Sequence, residues 1–217
     1  MKVGIIIILI SITCGIVHSQ GIPNDTVSYG IREETLRFNK FFRPFDSIND
    51  SLLVRIWVSG HWFSSKFVEF RLNKNSDICF RRGFIDYETD SIITLPFKSD
   101  SLDYIFNKLI ENHVLTLPDE KNAEVTIQKN GKSWLMPYDG KERIIESQRG
   151  DLFIIEIYNV QDYRDYGYTA PVELYQAFKR NNYECKDYYF INNIANSIYE
   201  DLKIIDLVRA QIKLHKE

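Results

Sequence analysis

Side chains able to do acid–base, nucleophilic or metal chemistry are few and scattered in this chain. Histidine stands at His18, His61, His113 and His215. None of the last three lies at metal-ligand spacing from another. The H-E-x-x-H, G-x-S-x-G, G-x-x-x-x-G-K-[ST] and G-x-G-x-x-G patterns are all absent. A Ser–His–Asp set is assembled in space rather than in sequence. A hydrolase therefore stays open as the alternative function, with His61 or His113 as its base. His61 sits in Ser59-Gly60-His61-Trp62, which reads equally as a hairpin turn with an aromatic lid. No residue is assigned a catalytic role and no cofactor or metal is expected.

The run Asp162-Tyr163-Arg164-Asp165-Tyr166-Gly167-Tyr168 is the stronger candidate. In an extended strand Arg164, Tyr166 and Tyr168 share one face with Asp162, and aromatic rings beside an Arg can stack on a sugar or a peptide. These three are the candidate ligand-binding residues, against the plainer reading of a cross-strand Tyr ladder covering a sheet. Arg149-Gly150-Asp151 matches the cell-attachment tripeptide, but Gly between polar residues is ordinary turn chemistry, and no function is assigned to it.

Five Asp-Ser/Thr-apolar triplets begin at Asp25, Asp46, Asp50, Asp90 and Asp100. They resemble an O-glycosylation acceptor used by some bacteria on exported proteins, and they also suit turns and helix N-caps. Asn24-Asp25-Thr26 and Asn49-Asp50-Ser51 fit the eukaryotic N-linked sequon. Cys79 and Cys185 are a candidate disulfide, which in the chain-entropy model would stabilise by about 4–5 kcal/mol. The other reading is two separate buried thiols.

These residues need a compartment and a scaffold. Lys2 precedes an unbroken apolar run from Val3 to Val17, followed by His18-Ser19-Gln20. A charged start, a short apolar core and aliphatic or small residues at Val17 and Ser19 form the secretory pattern. Residues 1–19 are expected to be a signal peptide cleaved between Ser19 and Gln20. The run is shorter than the roughly 20 residues a spanning helix needs, so no transmembrane segment is expected in the mature chain. The protein is expected to be exported, periplasmic or secreted.

Of the 217 residues, 14% are aromatic and 26% charged, which excludes a disordered chain, and the formal net charge of −3 is too mild to argue for nucleic acid. Residues 20–50 read as an N-terminal arm with a short helix at Ile31–Phe41, pinned to the body by Tyr29, Phe38, Phe41, Phe42 and Phe45. Residues 51–217 read as a single domain. Leu52, Val54, Ile56 and Val58 alternate with Leu53, Arg55 and Trp57. Val68, Phe70 and Leu72 alternate with Phe67, Glu69 and Arg71. This is the pattern of half-buried strands. Leu102, Ile105, Phe106, Leu109 and Ile110 form a helical stripe, with Asp100 or Ser101 able to cap it.

Asn130-Gly131, Asp139-Gly140 and Arg149-Gly150-Asp151 punctuate Ala123 to Tyr168 about every ten residues, predicting an antiparallel meander there. Pro171 opens a helix over Val172–Asn181. A last, long helix is predicted from Tyr188 to His215, roughly 42 Å in length. Its buried stripe would be Ile191, Ile194, Ala195, Ile198, Leu202, Ile205 and Val208, with Ile204, Leu207 and Leu214 as apolar surface outside it.

Two segments around the meander, His113-Val114-Leu115-Thr116-Leu117-Pro118-Asp119-Glu120 and Tyr163-Arg164-Asp165-Tyr166-Gly167-Tyr168-Thr169-Ala170-Pro171, resemble a group of uncharacterised exported bacterial proteins. The resemblance covers about a third of the chain. It implies secretion or a periplasmic home and brings no catalytic residues with it.

The sequence thus predicts an α+β domain, an antiparallel sheet with a meander in its second half, packed by the long C-terminal helix and one or two shorter ones. Its expected function is that of a non-catalytic binding or envelope-associated module whose partner is a protein or glycan of the cell envelope.

Overall fold

The computed structural model describes residues 41–42, 45–46, 48–60, 63–86, 88–123, 125–129, 132–136 and 150–214. The expected signal peptide with its Ser19–Gln20 junction, almost all of the Ile31–Phe41 helix, Tyr29, Phe38, His61 and His215 lie outside the described residues.

The α+β class holds. Alternating apolar residues give β1 (Asp50–Gly60), β2 (Phe63–Asn73), β3 (Ile78–Asp86) and β4 (Ser91–Leu95), and later β7 (Leu152–Asn159) and β8 (Tyr163–Thr169). They form one six-stranded sheet in the order β4-β3-β2-β1-β7-β8, every pair antiparallel. Register follows the pattern residue for residue, with Val54, Ile56 and Val58 opposite Ile157, Ile155 and Phe153. Three hairpins close by one device, an Asn or Asp at the strand end bonding the turn's main chain. Asn73 Oδ1 accepts from the amides of Asn75 and Asp77 at 2.9 Å each. Asp86 Oδ1 accepts from Glu88 at 3.0 Å, and Asn159 Oδ1 from Gln161 and Asp162 at 2.9 and 2.7 Å. Gly83 lets β4 pair so closely, because a Cβ there would run into the Ile93 carbonyl oxygen.

The expected meander over Ala123 to Tyr168 is divided. β5 (Val125–Lys129) and β6 (Lys132–Met136) pair with each other and with β9 (Tyr183–Glu184) in a separate small sheet, order β6-β5-β9. β7 and β8 join the large sheet instead, against β1. The continuous meander, β1 to β4, lies in the first half. Turn residues specify which neighbours pair locally, and they carry nothing about the sheet a hairpin joins.

Helices α1 (Leu102–Glu111), α2 (Pro171–Arg180), α3 (Lys186–Asn196) and α4 (Ile204–Leu214) accompany the sheet. Pro171 stands in the first turn of α2, where its missing N–H costs nothing. Ser101 is the N-cap of α1, but its hydroxyl bonds Ser99 rather than the helix. Ile105, Phe106 and Leu109 of α1, Leu174 and Phe178 of α2, and Ile191, Ile194 and Ala195 of α3 share one cluster with Val54, Ile56, Phe70 and Ile155 of the sheet. Phe106 rests 5.4 Å from Phe70, ring centre to ring centre. Each buried Val, Leu, Ile or Phe among them contributes about 1.5–3 kcal/mol by leaving water.

The long C-terminal helix is two helices. After α3 the chain widens into a π-helical turn, Ser197–Asp201, with the Leu202 amide donating to the Ser197 carbonyl at 3.0 Å. Lys203 then takes the left-handed conformation, φ +50°. The guanidinium of Arg82 on β3 donates through Nη1 to the Leu202 and Lys203 carbonyls at 2.6 and 3.1 Å, binding the break to the sheet. The stripe changes phase across it. Ile191, Ile194, Ala195, Ile198 and Leu202 are buried as expected, but on α4 the buried residues are Ile204, Leu207 and Gln211 while Ile205 is turned outward. Among the described residues no helix is long and apolar enough to cross a membrane.

The sheet's other face is also covered, against the expectation of half-buried strands. Trp57, Phe67, Ile85 and Ile154 are buried there together with Phe42 of the arm. Phe42 meets Trp57 and Phe67 edge-on, each at 4.9 Å, and Phe45 stacks on Tyr158 at 6.2 Å. These two arm aromatics do pin the arm to the body.

Candidate functional site

Arg164, Tyr166 and Tyr168 share a face of β8, and that face is the helix-covered core. Tyr166 and Tyr168 have no solvent exposure. The Tyr166 hydroxyl donates to the Val114 carbonyl at 2.6 Å and that of Tyr168 to Pro118 at 2.9 Å. Arg164 donates to Leu115 at 3.0 Å and also to the Leu117 carbonyl. Its guanidinium lies 5.0 Å from the centre of the Tyr166 ring. Burial pushes both phenols well above their ordinary range. The reading of these three as seats for an external ligand is corrected accordingly: the peptide they grip is the chain's own segment after α1. Glu120 completes the junction, accepting from the Thr169 amide at 3.1 Å and from the Tyr188 hydroxyl at 2.5 Å. The segments His113–Glu120 and Tyr163–Pro171 are therefore joined into one structural unit.

The candidate disulfide is also corrected. Cys79 and Cys185 form no disulfide: the first is exposed on β3 and the second buried at the N-cap of α3. Of the triplets, Ser51 spends its hydroxyl on the Leu72 and Asn73 carbonyls, Asp46 Oδ1 closes a turn on the Ile48 amide, and Asp90 has a positive φ in the β3–β4 turn. Asp46 and Asp90 thus serve as turn chemistry and Ser51 braces the β1–β2 pairing, while the triplet at Asp25 lies outside the described residues. Asp151, of the Arg-Gly-Asp tripeptide, accepts from the Tyr199 hydroxyl. Among the described residues no group of three or more His, Cys, Asp or Glu is placed to hold a metal ion.

A buried ionic network crosses the arm-covered face of the sheet. Arg55 donates to Glu69 through Nε at 2.8 Å and to Glu156 through Nη1 at 2.9 Å. Trp57 Nε1 donates to the same Glu156 oxygen at 2.8 Å. Arg81 adds a 2.9 Å bond to Glu69, and Arg71 pairs with Asp50. Phe42 lies beneath the guanidinium groups of Arg55 and Arg81, at 3.9 and 4.7 Å from its ring centre. Burial alone would raise the Glu69 carboxyl, but Arg55 and Arg81 together hold it below the ordinary range. For Glu156 burial prevails over Arg55 and Trp57, and its pKa is raised. Acids and bases here neutralise one another out of water, an arrangement that fixes strand register and arm position.

The accessible site lies elsewhere. Asn181 caps α2, its Nδ2 donating to the Ala177 carbonyl at 2.8 Å. Asn182 then takes φ +56° and turns the chain into β9 and α3. This tight return sets α2 against α3 and leaves an open cleft of about 520 Å³, with Tyr175, Lys179, Asn182, Lys186 and Tyr189 on its lining. Tyr175 and Tyr189 pack against each other on that lining, ring centres 6.0 Å apart at 59°. Further rings extend from there: Tyr189 to Phe190 at 5.5 Å, and Phe190 to the His113 imidazole at 4.3 Å. The result is a strip of four rings, with Tyr189 47% exposed and Lys186 Nζ 5.6 Å from the Phe190 centre. His113 turns out to be the end of this strip, at φ +60° just beyond α1. The sequence held a trace of the site, since Tyr175 and Lys179 stand four apart, and Lys186, Tyr189 and Phe190 three and four apart. Those spacings put Lys179, Lys186 and Tyr189 on exposed helix faces, while Tyr175 and Phe190 also pack partly against the core.

No protein-family model matches this chain, and none of the curated proteins matches it.

Proposed function

We propose that this chain is a non-catalytic binding module that works outside the cytoplasm and takes a glycan of the cell envelope along the strip Tyr175–Tyr189–Phe190–His113. The observation that carries the reading is the pair Tyr175 and Tyr189, which line the surface cleft with ring centres 6.0 Å apart, continued beyond the cleft by Phe190 and His113 at 5.5 and 4.3 Å. Aromatic faces accept the apolar C–H face of a sugar, while the phenols and the Asn182 amide at the rim can bond its hydroxyls. A peptide fits less well. The edge strand beside the cleft, β9, is two residues long, too short a ladder for an added strand. Export is supported by the charged start and apolar run ahead of Ser19.

The test is retention of envelope glycans by the tagged mature protein, read by mass spectrometry beside a Tyr175→Ala/Tyr189→Ala variant. Retention by the wild type and its loss in the variant is the expected result. Equal retention by both would overturn this seat for the ligand. Amino-terminal sequencing of the exported protein is expected to begin at Gln20; an intact Met1 terminus would overturn the export reading.

A further inference from the structure

We infer that the glycan is acidic. The inference rests on the binding reading above and adds the charge of the ligand. Lys179 and Lys186 both line the cleft and are exposed. No carboxylate stands within ion-pair distance of either among the described residues. The Lys186 ammonium lies over the Phe190 ring, which orients the charge without neutralising it. Two lysines against one carboxylate, Glu184, give the cleft a local excess of positive charge in a chain of net charge −3. The buried network treats its bases in the opposite way, giving Arg55, Arg71 and Arg81 carboxylate partners. Glu184 is the one carboxylate on the lining. Two ammonium groups beside two aromatic rings suit a polymer with one carboxylate per sugar, whose rings meet the aromatic faces while its acid groups meet the ammonium groups. Each contact is at the surface, so the charge contribution is modest and screened by salt.

Trigalacturonate and its methyl ester are a matched pair of probes, with the same sugar rings with and without charge. Titration of the mature protein, followed by calorimetry and by the NMR signals of residues 175–190, is expected to show trigalacturonate bound and the ester bound more weakly. Lys179→Ala and Lys186→Ala should each weaken trigalacturonate about two- to fivefold, and the difference between the two sugars should shrink as salt is raised. Tyr189→Ala should weaken both sugars alike, by up to about tenfold. All three side chains are exposed, so these variants keep their fold. Equal affinity for the ester, with the lysine variants unchanged, overturns the acidic inference and leaves the glycan-binding reading standing. Absence of any response to trigalacturonate overturns the inference too. Retention of envelope glycans then decides the binding reading separately.

Discussion

The Tyr166 hydroxyl donates a 2.6 Å hydrogen bond to the carbonyl of Val114, a residue 52 positions earlier in the chain. Both residues are fully buried. Tyr168 and Arg164 repeat the relationship with Pro118, Leu115 and Leu117. Alternate residues of one strand thus supply the hydrogen bonds that the segment after α1 cannot make within itself.

Tyr166→Phe is expected to keep the ring packing and leave the Val114 carbonyl without its donor, at a cost of about 1–3 kcal/mol. Urea unfolding measures it. The same variant should leave ligand retention unchanged, because the phenol faces the core and not the cleft.

The two glutamates of the buried network should give opposite pH dependences. The folded-state pKa of Glu69 is lowered from 4.5. Its stabilising contribution is therefore present above the unfolded value and lost as pH falls through the folded one. The folded-state pKa of Glu156 is raised from 4.5. The folded protein holds that proton more tightly than the unfolded chain, so stability declines as pH rises from the unfolded value through the folded one. Urea midpoints from about pH 3 to about pH 7 should lose their acid-side fall in Glu69→Gln. In Glu156→Gln they should lose the decline above 4.5 instead.

Cys79 should react with a thiol reagent in the native protein, and Cys185 only after unfolding. Reductant should not change the melting temperature. For the protein without residues 1–19, and so without Cys14, one thiol per native molecule and two per denatured molecule is the expected count; none in either state would mean a bridge.

Arg82→Ala should raise amide hydrogen exchange across Ile204–Leu214 more than across α1, since it removes the donor to the Leu202 and Lys203 carbonyls. Mass-resolved exchange distinguishes this local release from a general loss of stability.

Much of the fold was legible because it is local. Alternation fixed β1, β2, β7 and β8 and the faces of their residues, and Pro171 marked the start of α2. What escaped depends on contacts distant in sequence. Arg55, Glu69 and Glu156 look like a solvated strand face until their mutual pairing under Phe42 is seen. The Tyr and Arg positions on β8 were correctly placed on one face, but a sequence does not say whether that face meets solvent or core. The cleft was hidden for the same reason: Tyr175 and Tyr189 lie on different helices, and only the return through Asn182 sets them against each other.

The break at Ser197–Lys203 bears on how the last helix finds its seat. Ile204 and Leu207 face inward, yet Ile205, Val208 and Ile212, one position later, would make as apolar a stripe. Burial of oily surface therefore discriminates poorly between two rotational settings about 100° apart. The choice falls to backbone geometry: the π-helical turn, the left-handed Lys203 and the grip of Arg82 on the carbonyls beside it. Three polar details act as the key that sets the register of α4, while its apolar residues supply adhesion in either setting.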